Sequence, residues 1–154
     1  MKTTIKSLAL IGLMTLPASA IAGVSSTVKA TSDYTFNGVS QTDNSPALQA
    51  SLDYAADTGW YVGAWASNVD YGSGDDTWLE LDFYGGMYFQ LSESFSVDAG
   101  IAYYTYHGDD ASSDYKYPEV YSKFSYGSSA GQTELNFWYT WDYFGGGDDS
   151  YTMM

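Results

Sequence analysis

Thr77-Trp-Leu-Glu-Leu-Asp-Phe-Tyr-Gly-Gly-Met-Tyr-Phe-Gln-Leu-Ser-Glu-Ser-Phe-Ser-Val-Asp-Ala-Gly-Ile-Ala-Tyr-Tyr-Thr-Tyr106 is the stretch on which the reading of this chain turns. Taken at every second position, its first half gives Thr77, Leu79, Leu81, Phe83, Gly85, Met87, Phe89 and Leu91, interleaved with Trp78, Glu80, Asp82, Tyr84, Gly86, Tyr88 and Gln90. One register is apolar and the other carries carboxylates and an amide, the period of a strand with two unlike faces. Ser92-Glu-Ser94 turns the chain, after which Phe95, Val97, Ala99, Ile101 and Tyr103 alternate with Ser96, Asp98, Gly100, Ala102 and Tyr104. Each arm exceeds about ten residues, roughly twice the usual strand of a soluble sheet and long enough to cross a bilayer at a tilt. A soluble sandwich would pack Leu79, Phe83, Ile101 and Leu135 between its layers and leave Glu80 and Asp98 in water. A transmembrane barrel turns the apolar face to lipid and the polar face to its lumen. Strand length and aromatic content favour the barrel.

Composition narrows the function. The 154 residues suffice for one domain. Five lysines against 19 acidic residues give a formal charge of −14, which argues against nucleic acid as a partner and against adhesion to anionic membranes through basic patches. Without cysteine there is no disulfide scaffold, thiolate nucleophile or zinc-thiolate site. Sixteen Tyr, five Trp and 16 Gly, with a mean hydropathy of −0.24, fit neither a helical membrane protein nor an ordinary cytosolic enzyme.

Residues 1–22 have the parts of a secretory signal peptide: basic Lys2 and Lys6, the apolar run Leu8–Met14, and small residues for cleavage after Ala20 or Ala22. That run is too short to span as a helix, and charges or glycines interrupt every later one. Any crossing by residues 23–154, the barrel domain, therefore falls to strands. The alternation predicts seven of them: 24–36, 48–54, 60–69, the two arms of 77–106, 119–126 and 133–142. The third is the least regular, with Trp60, Val62, Ala64 and Ala66 read as outward.

The connections supply a second, independent signal. Those after the second, fourth and sixth strands are short (57–59, 92–94, 127–131), whereas those after the first, third and fifth are long and acidic. Outer-membrane barrels show this asymmetry, with short periplasmic turns and long external loops. Aromatic residues gather near strand ends (Tyr34 and Phe36, Trp60 and Tyr61, Phe89 and Phe95, Tyr103 to Tyr106, Trp141 to Phe144), where rings straddle an interface.

Several stretches resemble the TorF porin family of exported Gram-negative proteins: Thr31–Ala47 with its Ser-Asp-Tyr…Gly-Val-Ser-Gln-Thr core, Gly59–Asp70, Leu79–Gly85, Tyr103–Tyr106, Tyr117–Tyr121 and Trp141–Phe144. The resemblance covers most of the chain after residue 22. It implies an outer-membrane barrel with a pore, and carries over no catalytic residues. Members of that family run on through further strands, whereas this chain stops at Tyr-Thr-Met-Met154 after the seventh predicted strand. Single-chain bacterial barrels have even strand numbers. An open sheet in lipid leaves edge N–H and C=O groups unpaired, so seven strands describe a partial barrel, truncated or completed by other copies.

The inward register carries Lys29, Asp33, Asp53, Glu80, Asp82, Asp98, Glu119, Lys123, Glu134 and Asp142. An acidic lumen lowers the energy of cations and raises that of anions, so the expected function is a porin-like channel for small solutes or cations. The alternative is a closed, non-conducting barrel, its interior packed with side chains, serving as a structural or surface-binding module. Expected partners are outer-membrane lipid and lipopolysaccharide, the barrel-assembly machinery and the permeating solutes. Catalytic, metal and cofactor residues are expected to be absent. Asp70–Asp76 lacks the spacing and terminal glutamate of a calcium loop, and reads as a solvated external loop. His107 lies near Ser112, Ser113 and Asp114, but no glycine-framed nucleophile elbow accompanies them.

Overall fold

The computed structural model describes residues 23–154, so the signal-peptide reading of 1–22 lies outside the described residues. The chain forms strands β1 Gly23–Thr31, β2 Thr35–Phe36, β3 Val39–Ser40, β4 Ala47–Ala55, β5 Trp60–Asn68, β6 Leu79–Gln90, β7 Phe95–His107, β8 Tyr117–Ser128, β9 Gly131–Thr140 and β10 Ser150–Met153. Eight of these make one antiparallel up-and-down sheet in the order β1-β4-β5-β6-β7-β8-β9-β10, and β2 and β3 form a separate hairpin. All-β, antiparallel architecture is therefore as the alternation predicts. Among the described residues the edge strands β1 and β10 do not pair with each other.

Two details correct the sequence reading. The first strand ends at Thr31 and does not run to Phe36; Asn37 and Gly38 (φ 48° and 83°) form a tight turn that folds 35–40 back as the β2–β3 hairpin. Two positive φ angles in succession are what an Asn-Gly pair supplies at least strain. The main sheet has eight strands rather than seven. β10 pairs with β9 from Ser150↔Thr140 to Met153↔Phe137, and Met154 exchanges both backbone hydrogen bonds with Asn136 (2.9 and 3.0 Å). Four residues behind a Gly/Asp loop are too few for a period of two to register.

Register is continuous across the sheet, so side chains sort onto two faces. Lys29↔Gln49, Gln49↔Ser67, Ser67↔Glu80 and Glu80↔Tyr106 share one face across five strands. The opposite face carries Val28, Leu52, Val62, Phe83, Ile101, Val120 and Leu135. Burial is inverted relative to a soluble sheet. Phe83, Ile101 and Leu135 are 50, 49 and 44 % exposed, while Glu80, Asp82 and Glu119 are 3, 8 and 6 % exposed. The arrangement that a sandwich requires is absent among the described residues.

Three tyrosines on the polar face each lie over a directly opposed glycine. Tyr84 covers Gly63, Tyr61 covers Gly86, and Tyr121 covers Gly100. A ring laid flat over a residue without Cβ can reach the next strand along, and this is why glycine interrupts these strands. Tyr84 donates to Asp53, and Tyr61 donates to Asp98 (2.6 Å) with its hydroxyl 2.5 Å from that of Tyr121. The result is a belt of hydroxyls and carboxylates running across the strands. A Cβ at Gly86 would sit 2.5 Å from the Tyr61 hydroxyl and 2.7 Å from the Ala99 carbonyl. Gly86→Ala is expected to dislodge Tyr61 and to destabilise the fold by about 1–3 kcal/mol, read as a lowered urea midpoint of the refolded protein. An unchanged midpoint would show that the belt is incidental.

Candidate functional site: the polar face and its loop cap

The connections 32–46, 69–78, 108–116 and 141–149 all leave the same end of the sheet, while the short turns 56–59, 91–94 and 129–130 lie at the other. The long connections interlock. Asp70 N–H donates to the Gln41 carbonyl (2.8 Å), joining the first to the second, and Thr42 bridges Asp70. The buried hydroxyls of Thr77 and Ser112 are 2.7 Å apart, and Tyr115 donates to Asp75 (2.9 Å), joining the second to the third. Phe144 brings in the fourth. It sits among Tyr71, Tyr106, Tyr115, Tyr117 and Tyr143, with ring centroids 4.9–6.5 Å away. Its backbone is left-handed (φ 51°, ψ 33°), a conformation a bulky residue holds only when its surroundings enforce it.

Beneath this cap the polar face is buried. Glu80 accepts from Tyr106 (2.9 Å), and Glu119 accepts from Tyr104 (2.8 Å), which stacks on Tyr117. One oxygen of Glu80 and one of Asp82 are buried without a hydrogen bond. Farther from the loops the same face is partly open: Asp53, Tyr61, Tyr84, Asp98 and Tyr121 are each only partly buried.

The lumen-facing set predicted from sequence divides into two. Asp53, Glu80, Asp82, Asp98, Glu119, Lys123 and Glu134 occupy the polar face within strands, as does Lys29 on the exposed edge strand β1. Lys123 lies 3.9 Å from Asp98 and over the Tyr121 ring, and Glu134 accepts from Gln132. Asp33 and Asp142 are corrected to loop positions, since β1 and β9 end before them. Asp33 accepts from Ser40 (2.6 Å) and Thr42 (3.1 Å), and Asp142 accepts from the Gly147 N–H (2.8 Å), so each ties down its own connection. Sequence reasoning missed the tyrosines. Tyr61, Tyr104 and Tyr106, read as interface anchors, point to the carboxylates instead, and the signal was their place in the polar register opposite Gly86, Asp82 and Glu80. Trp60, Phe89, Tyr103 and Trp141 remain exposed near strand ends.

A cavity of about 370 Å³ opens between the connections, lined by Phe36, Val39, Ser40 and Gln41 of the first, Tyr71 and Asp75 of the second, Tyr115 of the third, and Tyr143 and Phe144 of the fourth. The first and last connections thus meet around one space. Among the described residues no group of His, Cys, Asp or Glu is placed to hold a metal ion. The His107 ring bonds Thr105 (3.1 Å), while the Ser112 hydroxyl bonds Thr77 and Asp109. A profile for a bacterial protein of unknown function (Gcw_chp) matches residues 16–154. The chain belongs to the Gcw_chp family. No curated protein and no solved structure matches it.

The cap of this Gcw_chp protein depends on ionised carboxylates. Hydrogen bonds from Thr77, chiefly its side chain, and from Tyr115 hold Asp75 below its ordinary value of 3.8. Bonds from the Ser112 backbone and hydroxyl do the same for Asp109. Folded-state values below 3.8 mean that both groups stabilise the cap fully above that pH and lose their effect as pH falls through the depressed values. Amide exchange protection at Thr77 and Ser112 is therefore expected to hold from neutrality to about pH 4 and to fall below it. Protection that is the same at pH 3 as at pH 7 would remove the carboxylates from this role.

Proposed function

We propose that this protein is an outer-membrane β-barrel of porin type, exported by the general secretory route, whose acidic interior favours small cationic solutes. The observation that carries this reading is the inverted burial: exposed Phe83, Ile101 and Leu135 on one face, and buried Glu80, Asp82 and Glu119 on the other. In water an exposed sheet face of Val, Leu, Ile and Phe would associate or aggregate, whereas in a bilayer it meets its matching solvent. Apart from β10, the strands of the main sheet run 9 to 13 residues and fit the hydrocarbon thickness. Long connections at one end and short turns at the other fit the outer-membrane orientation. The resemblance to TorF porins points the same way, and closure by the edge strands is part of the proposal.

Charge supports the selectivity. The polar face bears Asp53, Glu80, Asp82, Asp98, Glu119 and Glu134 against Lys29 and Lys123. The loop cap favours the second reading, a closed barrel acting as a surface-binding module, because Tyr106 and Tyr117 are buried beneath it.

Two measurements separate these readings from each other and from a soluble sheet. Ile101→Arg, at an exposed mid-strand position, is expected to destabilise the bilayer-folded protein by about 2–4 kcal/mol. A soluble protein would tolerate it, since arginine there would meet water. In planar bilayers the full chain is expected to conduct with cation preference, and Asp53→Asn with Asp98→Asn to reduce that preference. Current no greater than that of empty membrane would leave the barrel standing and retire the channel in favour of the closed module.

A further inference from the structure

We infer that the cavity within the loop cap is a binding site for a methylated ammonium cation, of which choline is the simplest probe. This goes beyond the pore reading and does not require conduction. Phe36, Tyr71, Tyr115, Tyr143 and Phe144 supply aromatic surface from all the long connections, and Asp75 supplies a carboxylate. Tyr71, Tyr115 and Tyr143 stand at 75°, 65° and 84° to the Phe144 ring, so the rings form walls rather than a stack. Walls of this kind present π-faces and edges around a volume of about 370 Å³, near the lower end of the range for small-ligand pockets. A quaternary ammonium among aromatic faces is attracted by the ring quadrupoles and needs no hydrogen bonds.

The state of the polar lining groups selects the ligand class. Both Asp75 oxygens already accept bonds, from the Thr77 N–H (2.9 Å) and the Tyr115 hydroxyl (2.9 Å). Gln41 donates its amide to the Val39 carbonyl (3.1 Å), and Ser40 donates to Asp33 (2.6 Å). A sugar, which is recognised through many free donors and acceptors, finds these three groups engaged and only Asn37 besides them as a polar amide of the lining. A cation needs only the charge of Asp75, which those bonds leave in place. No lysine or histidine lines the cavity to oppose it, and the acidic Asp109 and Asp114 both act on the Tyr115 wall. The Tyr71 hydroxyl is buried without a hydrogen bond of normal geometry, and its polar neighbour Tyr106 is committed to Glu80. The left-handed backbone of Phe144 sets its ring against Tyr71, Tyr115 and Tyr143 as one wall of the cavity.

The test is calorimetric titration of the full chain, refolded in detergent, with choline chloride. 3,3-Dimethylbutanol, the uncharged isostere, serves as control, with sodium chloride at matched ionic strength. Choline is expected to bind saturably and the isostere at least about tenfold more weakly, since it lacks the charge that the rings and Asp75 attract. Asp75→Asn, which keeps the shape, and Phe144→Leu, which removes a ring, are each expected to weaken choline binding by about tenfold. Tyr115→Phe keeps the ring and serves if either of these fails to fold; it is expected to bind choline within a few-fold of the parent. Equal binding of choline and its isostere would overturn the proposal. So would wild-type affinity in both Asp75→Asn and Phe144→Leu, or loss of binding in Tyr115→Phe with its fold intact. Saturable choline binding by a chain that carries no current would retire the channel and keep the site; current without choline binding would do the reverse.

Discussion

Unbroken antiparallel register is the constraint on which everything else rests. Successive residues of a strand point to opposite faces, so a one-residue slip in any ladder would exchange every carboxylate for an aliphatic or aromatic side chain. The ladders from β1 to β10 avoid this throughout, and the price of a slip explains why. Moving Glu80 or Asp82 to the exposed apolar face would strand a charge among Leu, Phe and Ile, and would bring Leu81 or Phe83 beneath the loops. Both faces specify the register, from opposite directions.

Holding carboxylates on a buried face requires donors, and tyrosine supplies most of them here. A tyrosine offers one hydroxyl at the end of a rigid, largely apolar plate, so it can satisfy an acid without adding a cation. Tyr106 serves Glu80, Tyr104 serves Glu119, Tyr84 serves Asp53 and Tyr61 serves Asp98. Among the described residues the one ion pair is Lys123 with Asp98. A lysine-based solution would have neutralised the face. The tyrosine solution satisfies the carboxylates without adding a cation to the face. Opposed glycines are the other half of the device, because only a residue without Cβ lets the ring lie flat.

The loop cap follows from the same economy of charge. Connections this acidic repel one another unless their carboxylates are engaged locally. Asp33, Asp75, Asp109 and Asp142 each accept bonds from neighbouring hydroxyls or amides. With those charges tied down, the aromatic residues of the loops can pack around Phe144 and shape a cavity at the end of the polar face.

The sequence by itself determined the class of structure. Alternation in 77–106 defined two faces and their chemistry, the short and long connections defined two ends, and the polar register named Asp53, Glu80, Asp82, Asp98 and Glu119 as face-mates. Those features are local, written every second residue, and no tertiary contact is needed to read them. Other features came only with the fold. The eighth strand is defined by its ladder to β9 and not by its four residues, and Asp33 and Asp142 left the strands because hydrogen bonds to Ser40, Thr42 and Gly147 favour loop conformations there. That Tyr61 reaches Asp98 and Tyr121, or that residues as distant as Phe36 and Phe144 line one cavity, depends on which strands are neighbours and how the sheet curls. Spacing along the chain carries no record of either.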